Sequence, residues 1–81
     1  MFKVGKVVNY FDKTNVSVVE LNNILAVGDN IRVIRKWADA FEQKIEKIKI
    51  DYEDVSLARF GQTITLILSE RVKKDDELYK I

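Results

Sequence analysis

The sequence contains no cysteine, no histidine and no proline, and only three glycines, one methionine and one tryptophan. Without cysteine, neither a disulfide framework nor a thiolate metal site can hold the fold together. Without histidine, the commonest metal ligand and general base is missing, and Ser17, Ser56 and Ser69 have no imidazole to activate them. A strong charge of either sign is also lacking: 14 basic residues face 13 acidic ones, for a net charge of +1. That balance argues against a polyanion binder of the strongly basic kind, while leaving room for local patches. No apolar run approaches the roughly 18 residues that a membrane-spanning helix needs. Met1–Lys6 offers neither a long apolar segment nor a small-residue cleavage site, so no signal peptide is expected and the default location is cytoplasmic. These absences lead to the expectation of a chain that is not an enzyme, with no metal, no cofactor and no membrane association.

What is present is material for a small β-domain. Eighty-one residues read as one domain, 1–81, near the lower end of what stands without staples. Its stability must come from a core, and a hydrophobic fraction of 47% with ten Val and nine Ile leans toward strand. The pivot is Leu25-Ala26-Val27-Gly28-Asp29-Asn30, where Gly28 is expected to supply a positive φ and Asp29 a turn. Ile31, Val33 and Ile34 then begin a strand. Before the pivot, Phe2–Phe11 and Val16–Leu21 predict a hairpin joined by Asp12-Lys13-Thr14-Asn15. Gly5 interrupts the first of these strands, as at a bulge, a barrel corner or a close backbone approach.

After the pivot, Phe41–Ile50 changes parity: Phe41 and Ile45 share one face, Ile48 and Ile50 the other. A one-residue bulge near Glu46-Lys47 would return all four to the core, and we favour that reading. The helical alternative rests on the i, i+4, i+7 spacing of Phe41, Ile45 and Ile48. Val55–Gly61 reads as an irregular turn ending at Gly61, with Val55 and Ala58 tucked inward. Gln62–Leu68 is a clean strand with Ile64, Leu66 and Leu68 facing one way, and Glu77–Ile81 closes the chain. The fold class expected is all-β, a small six-stranded antiparallel closed β-barrel, because closure removes unpaired edges.

In this order the motifs resemble the second-domain barrel of translation GTPases of the elongation factor Tu type. The resemblance is carried by Val4-Gly5-Lys6-Val7, the pivot through Ile31, Phe41–Ile48, and Val55, Ala58 and Gly61. The chain is also similar to the C-terminal barrel of collagenase-like peptidase family proteins, some of which act in tRNA modification. That similarity lies in Asn9-Tyr10-Phe11-Asp12-Lys13, the Phe41 strand and Asp76-Glu77-Leu78-Tyr79. Two departures stand out: Gln62 where such barrels often carry an acid, and Asp75 where they often carry glycine. No phosphate-binding loop is present, so no nucleotide cofactor is expected and only a binding role transfers by analogy.

Three candidate sites follow. Asp51, Glu53 and Asp54, and Asp75, Asp76 and Glu77, are acidic clusters that in hairpin loops are far more often solvated turn residues. Lys44, Lys47 and Lys49, with Arg59, Arg71, Lys73 and Lys74, could contact phosphate, with Trp37 and Phe60 stacking beside Arg35 and Arg59. The competing reading makes these lysines a solvated outer face interleaved with acids. Trp37 and Phe60 could instead anchor a protein interface. The function expected is a non-enzymatic binding module in an RNA- or translation-related setting, with tRNA or rRNA as partner. The alternative is a protein–protein adaptor working with a separately encoded catalytic partner.

Overall fold

β-Branched and aromatic residues in short alternating runs set this chain into strands with no helix. In the computed structural model, which describes residues 1–81, these are β1 (Phe2–Phe11), β2 (Val16–Leu21), β3 (Leu25–Ala26), β4 (Asn30–Ile34), β5 (Phe41–Lys44), β6 (Ile48–Ile50), β7 (Glu53–Val55), β8 (Leu57–Ala58), β9 (Thr63–Ile67) and β10 (Glu77–Lys80). Eight form one antiparallel sheet in the order β5-β4-β10-β1-β2-β9-β6-β7, and β3 pairs separately with β8.

The sheet curls because β1 is bent twice. Val4 and Val7 are both fully buried although strict alternation would send them to opposite faces. Register slips between Lys3 and Gly5 against β10, and between Val7 and Asn9 against β2. Each slip adds a residue and sharpens the twist; the first returns Val7 to the core, and the second lets Tyr10 pack against it. At Gly5 the strands approach so closely that a Cβ would lie 2.7 Å from the Glu20 carbonyl oxygen. The concave face gathers a core of 16 buried apolar residues, with Ile31, Val33, Ile64, Leu66 and Leu78 contributed by adjacent and facing strands.

The turns follow from local chemistry. Gly28 holds φ +98°, and its N–H donates to the Ile45 carbonyl oxygen at 2.7 Å. Asp29 closes the same turn: its carboxylate accepts the Ala26 N–H at 2.8 Å and pairs with Lys80 at 3.0 Å. Gly61 sits at φ +85° between β8 and β9, where the Gln62 side chain accepts the Arg59 N–H at 2.7 Å. An acidic residue at that position would offer the same acceptor. Asp75, one of the two departures noted in the sequence, adopts φ 76°, a conformation glycine enters without steric cost.

The closed six-stranded barrel is corrected to an open, curled eight-stranded sheet. The run Phe41–Ile50 is neither a bulged strand nor a helix. Phe41–Lys44 lies at one end of the sheet beside β4, and Ile48–Ile50 pairs with β7 and β9 toward the other end. Ile45–Lys47 crosses between the ends, held where the Ile45 N–H donates to the Asp29 carbonyl oxygen at 2.8 Å. A parity change in the sequence reports only that one residue leaves the ladder. A chain that changes neighbours produces the same signal as a bulge. No backbone ladder joins β5 to β9, so a seam remains between them. The Gln43 carboxamide spans it, accepting the Ser69 N–H at 2.6 Å and donating to the Ile67 carbonyl oxygen at 3.5 Å.

Candidate functional site

Two regions collect the charged and aromatic side chains singled out in the sequence. The first is the corner after β4. Arg35, whose side chain is only 6% exposed, donates to the carbonyl oxygens of Asp39 and Arg71 and to Glu70, the last two at 2.9 Å. Its guanidinium carbon also lies 5.0 Å from the centre of Trp37 and 4.8 Å from that of Phe41. The Lys73 ammonium lies 4.7 Å from the Trp37 ring centre, a second cation–π contact. Trp37 Nε1 donates to Asp76 Oδ2 at 3.1 Å, and the Lys73 backbone N–H donates to the same oxygen at 2.8 Å. Asp76 is therefore a buried acceptor that ties the last loop to the β4–β5 connection. Read in the sequence as part of a solvated acidic cluster, it was a missed structural residue. The polarity of Asp76 carries no mark of burial.

The second region lies beside the seam. A groove of about 680 Å³ is lined by Lys44, Lys47 and Lys49 around a floor that includes Val16, Thr65 and Ile67, with Glu46 as its one acid. These three lysines come from β5, the crossing segment and β6, so the crossing that opened the barrel also brings them together. Lys44 and Lys47 form no ion pair, and Lys49 reaches Asp54 only at 4.0 Å. Ile67 is 61% exposed, an apolar side chain on the outer face of β9. Its place was legible in the sequence: if Ile64, Leu66 and Leu68 face inward, Ile67 must face out. Gln43 gave no such signal, because its role depends on the seam.

The other basic candidates do not join the groove. Arg71, Lys73 and Lys74 line a smaller concavity of about 320 Å³ with Tyr10 and Asp12, where Arg71 is paired with Asp12 at 2.9 Å. Arg59 and Phe60 lie at the β8–β9 turn and line neither cavity, although Phe60 is 77% exposed. Of the acidic clusters, Asp51 forms a two-residue hairpin turn with Tyr52 at φ 51° and 69°, and Glu53 and Asp54 begin β7. Glu77 meets Lys3 at 2.7 Å across β10 and β1. The hydrogen bond from Lys3 holds the Glu77 carboxyl below the usual carboxylate value, and the same bond holds Lys3 above the usual lysine value. No helix of the chain is long and apolar enough to cross a membrane.

Comparison with known proteins places this fold. No family model matches the chain. Among curated proteins, it is 31% identical over 77 residues to an uncharacterized protease of Methanocaldococcus jannaschii, an alignment covering 95% of this chain and 19% of that protein. It is 32% identical over 78 residues to a collagenase of Porphyromonas gingivalis, covering 95% of this chain and 22% of the collagenase. The chain thus spans about a fifth of the length of the curated relatives it matches. Among solved structures, the C-terminal domain of a candidate U32 peptidase from Geobacillus thermoleovorans superposes with a TM-score of 0.93 at 22% identity, covering 99% of this chain and 92% of that one.

These findings correct two expectations. The resemblance to the second domain of elongation factor Tu is not supported, and with it falls the translation-factor setting. The expectation that the chain is not an enzyme is overturned by its relatives, which are named a protease and collagenases. The similarity to the C-terminal barrel of collagenase-like peptidases fits. In fold, this chain is similar to the C-terminal domain solved from Geobacillus, and its curated sequence relatives are a protease and collagenases.

Proposed function

We propose that this chain serves a peptidase as the domain that recognises polypeptide for a catalytic part of the protein or complex. The observation that carries the reading is the alignment of nearly all of this chain with about a fifth of a protease, which leaves the rest of that protease for other work. The groove beside the seam supports it, because it combines the apolar side chains of Val16 and Ile67 with two lysines, Lys44 and Lys47, that form no ion pair. Apolar contact provides affinity for a polypeptide of varied sequence, and fixed charges provide orientation. The translation and RNA settings have no comparable support. The basic residues are split between separate surfaces, and neither Trp37 nor Phe60 lines the groove to stack a base.

The test is binding of the purified chain to reduced, carboxymethylated polypeptide and, in parallel, to single-stranded RNA. Saturable binding to the unfolded polypeptide, with little affinity for RNA, is the expected result. Binding to RNA that collapses steeply with salt, together with no affinity for polypeptide, overturns the reading.

A further inference from the structure

The seam between β5 and β9 exposes backbone as well as side chains. The Ile45 N–H bonds to the Asp29 carbonyl oxygen, extending the β4–β5 register in which Lys44 faces Asn30 and Gln43 faces Ile31. Antiparallel ladders alternate, so the peptide groups of Gln43 point to β4 while the N–H and C=O of Lys44 point away into the seam. On the far side, the Leu21 N–H bonds to the Gln62 carbonyl oxygen, and β2 faces β9 with Ser17 opposite Leu66. The same alternation turns the peptide groups of Thr65 and Ile67 away from β2. Thr65 meets Lys49 of β6, the single paired position of that ladder. Ile67 lies beyond it, and its carbonyl oxygen is met by the Gln43 side-chain amide. A side-chain amide has the donor and acceptor of a peptide group, so Gln43 occupies hydrogen-bonding positions that an arriving strand could fill.

We propose that this groove binds an extended, acidic stretch of polypeptide, which adds along the free edge of β5 with its carboxylates at Lys44, Lys47 and Lys49. The proposal rests on the reading of the chain as a polypeptide-recognition domain and names the chemistry recognised. Charge complementarity selects the occupant: three lysines and one glutamate line the groove, and Lys44 and Lys47 have no partner of their own. Alternation selects its conformation. A strand sends successive side chains to opposite sides, so one set can rest on Val16 and Ile67 while the backbone meets the β5 edge. An edge strand as short as Phe41–Lys44, ending in lysine, is guarded against casual pairing. A segment bearing carboxylates neutralises that guard.

The test follows backbone amide resonances of the uniformly 15N-labelled chain on titration with two synthetic peptides of equal length. One alternates Glu and Val, the other Lys and Val, and a single-stranded RNA serves as competitor. The Glu–Val peptide is expected to shift Lys44, Glu46, Lys47, Lys49, Thr65 and Ile67, and the Lys–Val peptide to leave them in place. In the double variant Lys44→Glu/Lys47→Glu, whose two sites are exposed and unpaired, affinity for the Glu–Val peptide should fall about tenfold or more while the remaining spectrum persists. Binding of the Glu–Val peptide elsewhere, equal binding of both peptides, or an undiminished affinity of the variant overturns the groove and leaves the recognition role standing. Displacement of the peptide by RNA from the same residues overturns it in favour of a phosphate ligand. Absence of binding by either peptide removes this proposal, and a failure of the unfolded-polypeptide test removes the recognition role itself.

Discussion

The corner at Arg35 and the groove at Lys44 hold similar residues put to different use. At the corner, Arg35, Lys73 and Asp76 each meet partners from the chain itself: carbonyl oxygens, a glutamate, the Trp37 ring and its Nε1. Along the groove, Lys44 and Lys47 meet no acid, and an isoleucine stands exposed beside them. The first arrangement holds two connections together. The second leaves charge and apolar surface unmatched, which a folded chain tolerates at little cost and a partner can use. Clustered charge in a sequence therefore says less about binding than whether the fold has already neutralised it.

The largest expected effect lies at the corner. Asp76→Ala removes the acceptor of both Trp37 Nε1 and the Lys73 N–H, and should lower unfolding free energy by about 2–3 kcal/mol in urea denaturation. A loss under about 0.5 kcal/mol would show that the corner is not the internal tie described here. Trp37→Ala sharpens the contrast further. It should destabilise by about 1–2 kcal/mol, through lost packing and cation–π contact, yet leave binding of the Glu–Val peptide unchanged. Loss of peptide binding in a folded Trp37→Ala protein would move the recognition surface to the corner.

Smaller effects are expected beside the groove. Gln43→Ala removes two solvent-exposed hydrogen bonds across the seam and should cost about 0.5–1 kcal/mol, with amide exchange quickened at Ser69. Lys44→Glu/Lys47→Glu should change stability by no more than about 0.5 kcal/mol, since neither lysine has an ion pair to lose. The smallest effect is a pH dependence from Lys3 and Glu77, both partly exposed and so screened by solvent. Glu77 titrates lower in the folded chain than in the unfolded one. Its contribution is present above the usual carboxylate value and is lost as pH falls through the folded value. Lys3 titrates higher when folded, so its contribution is complete below the usual lysine value and is lost as pH rises through the folded one. Glu77→Gln should flatten the acid side of a melting-temperature profile slightly, and an unchanged profile would dismiss the pair as a stabilising contact.

Much of the architecture was legible without coordinates because strand alternation is local. Ile31 with Val33, and Ile64 with Leu66 and Leu68, declared their buried face by spacing alone, and all five are buried. Gly5, Gly28 and Gly61 marked backbone that turns or approaches closely, since few other residues are easily accommodated there. What spacing could not disclose is which strand lies beside which. The parity change in Phe41–Ile50 arises from a change of neighbours at Ile45, and its consequence is the seam, the Gln43 bridge and the meeting of Lys44, Lys47 and Lys49. The burial of Asp76 likewise depends on a tryptophan 39 positions away. Side-chain period is a property of neighbouring residues, whereas pairing and charge neutralisation are properties of residues the chain brings together only on folding.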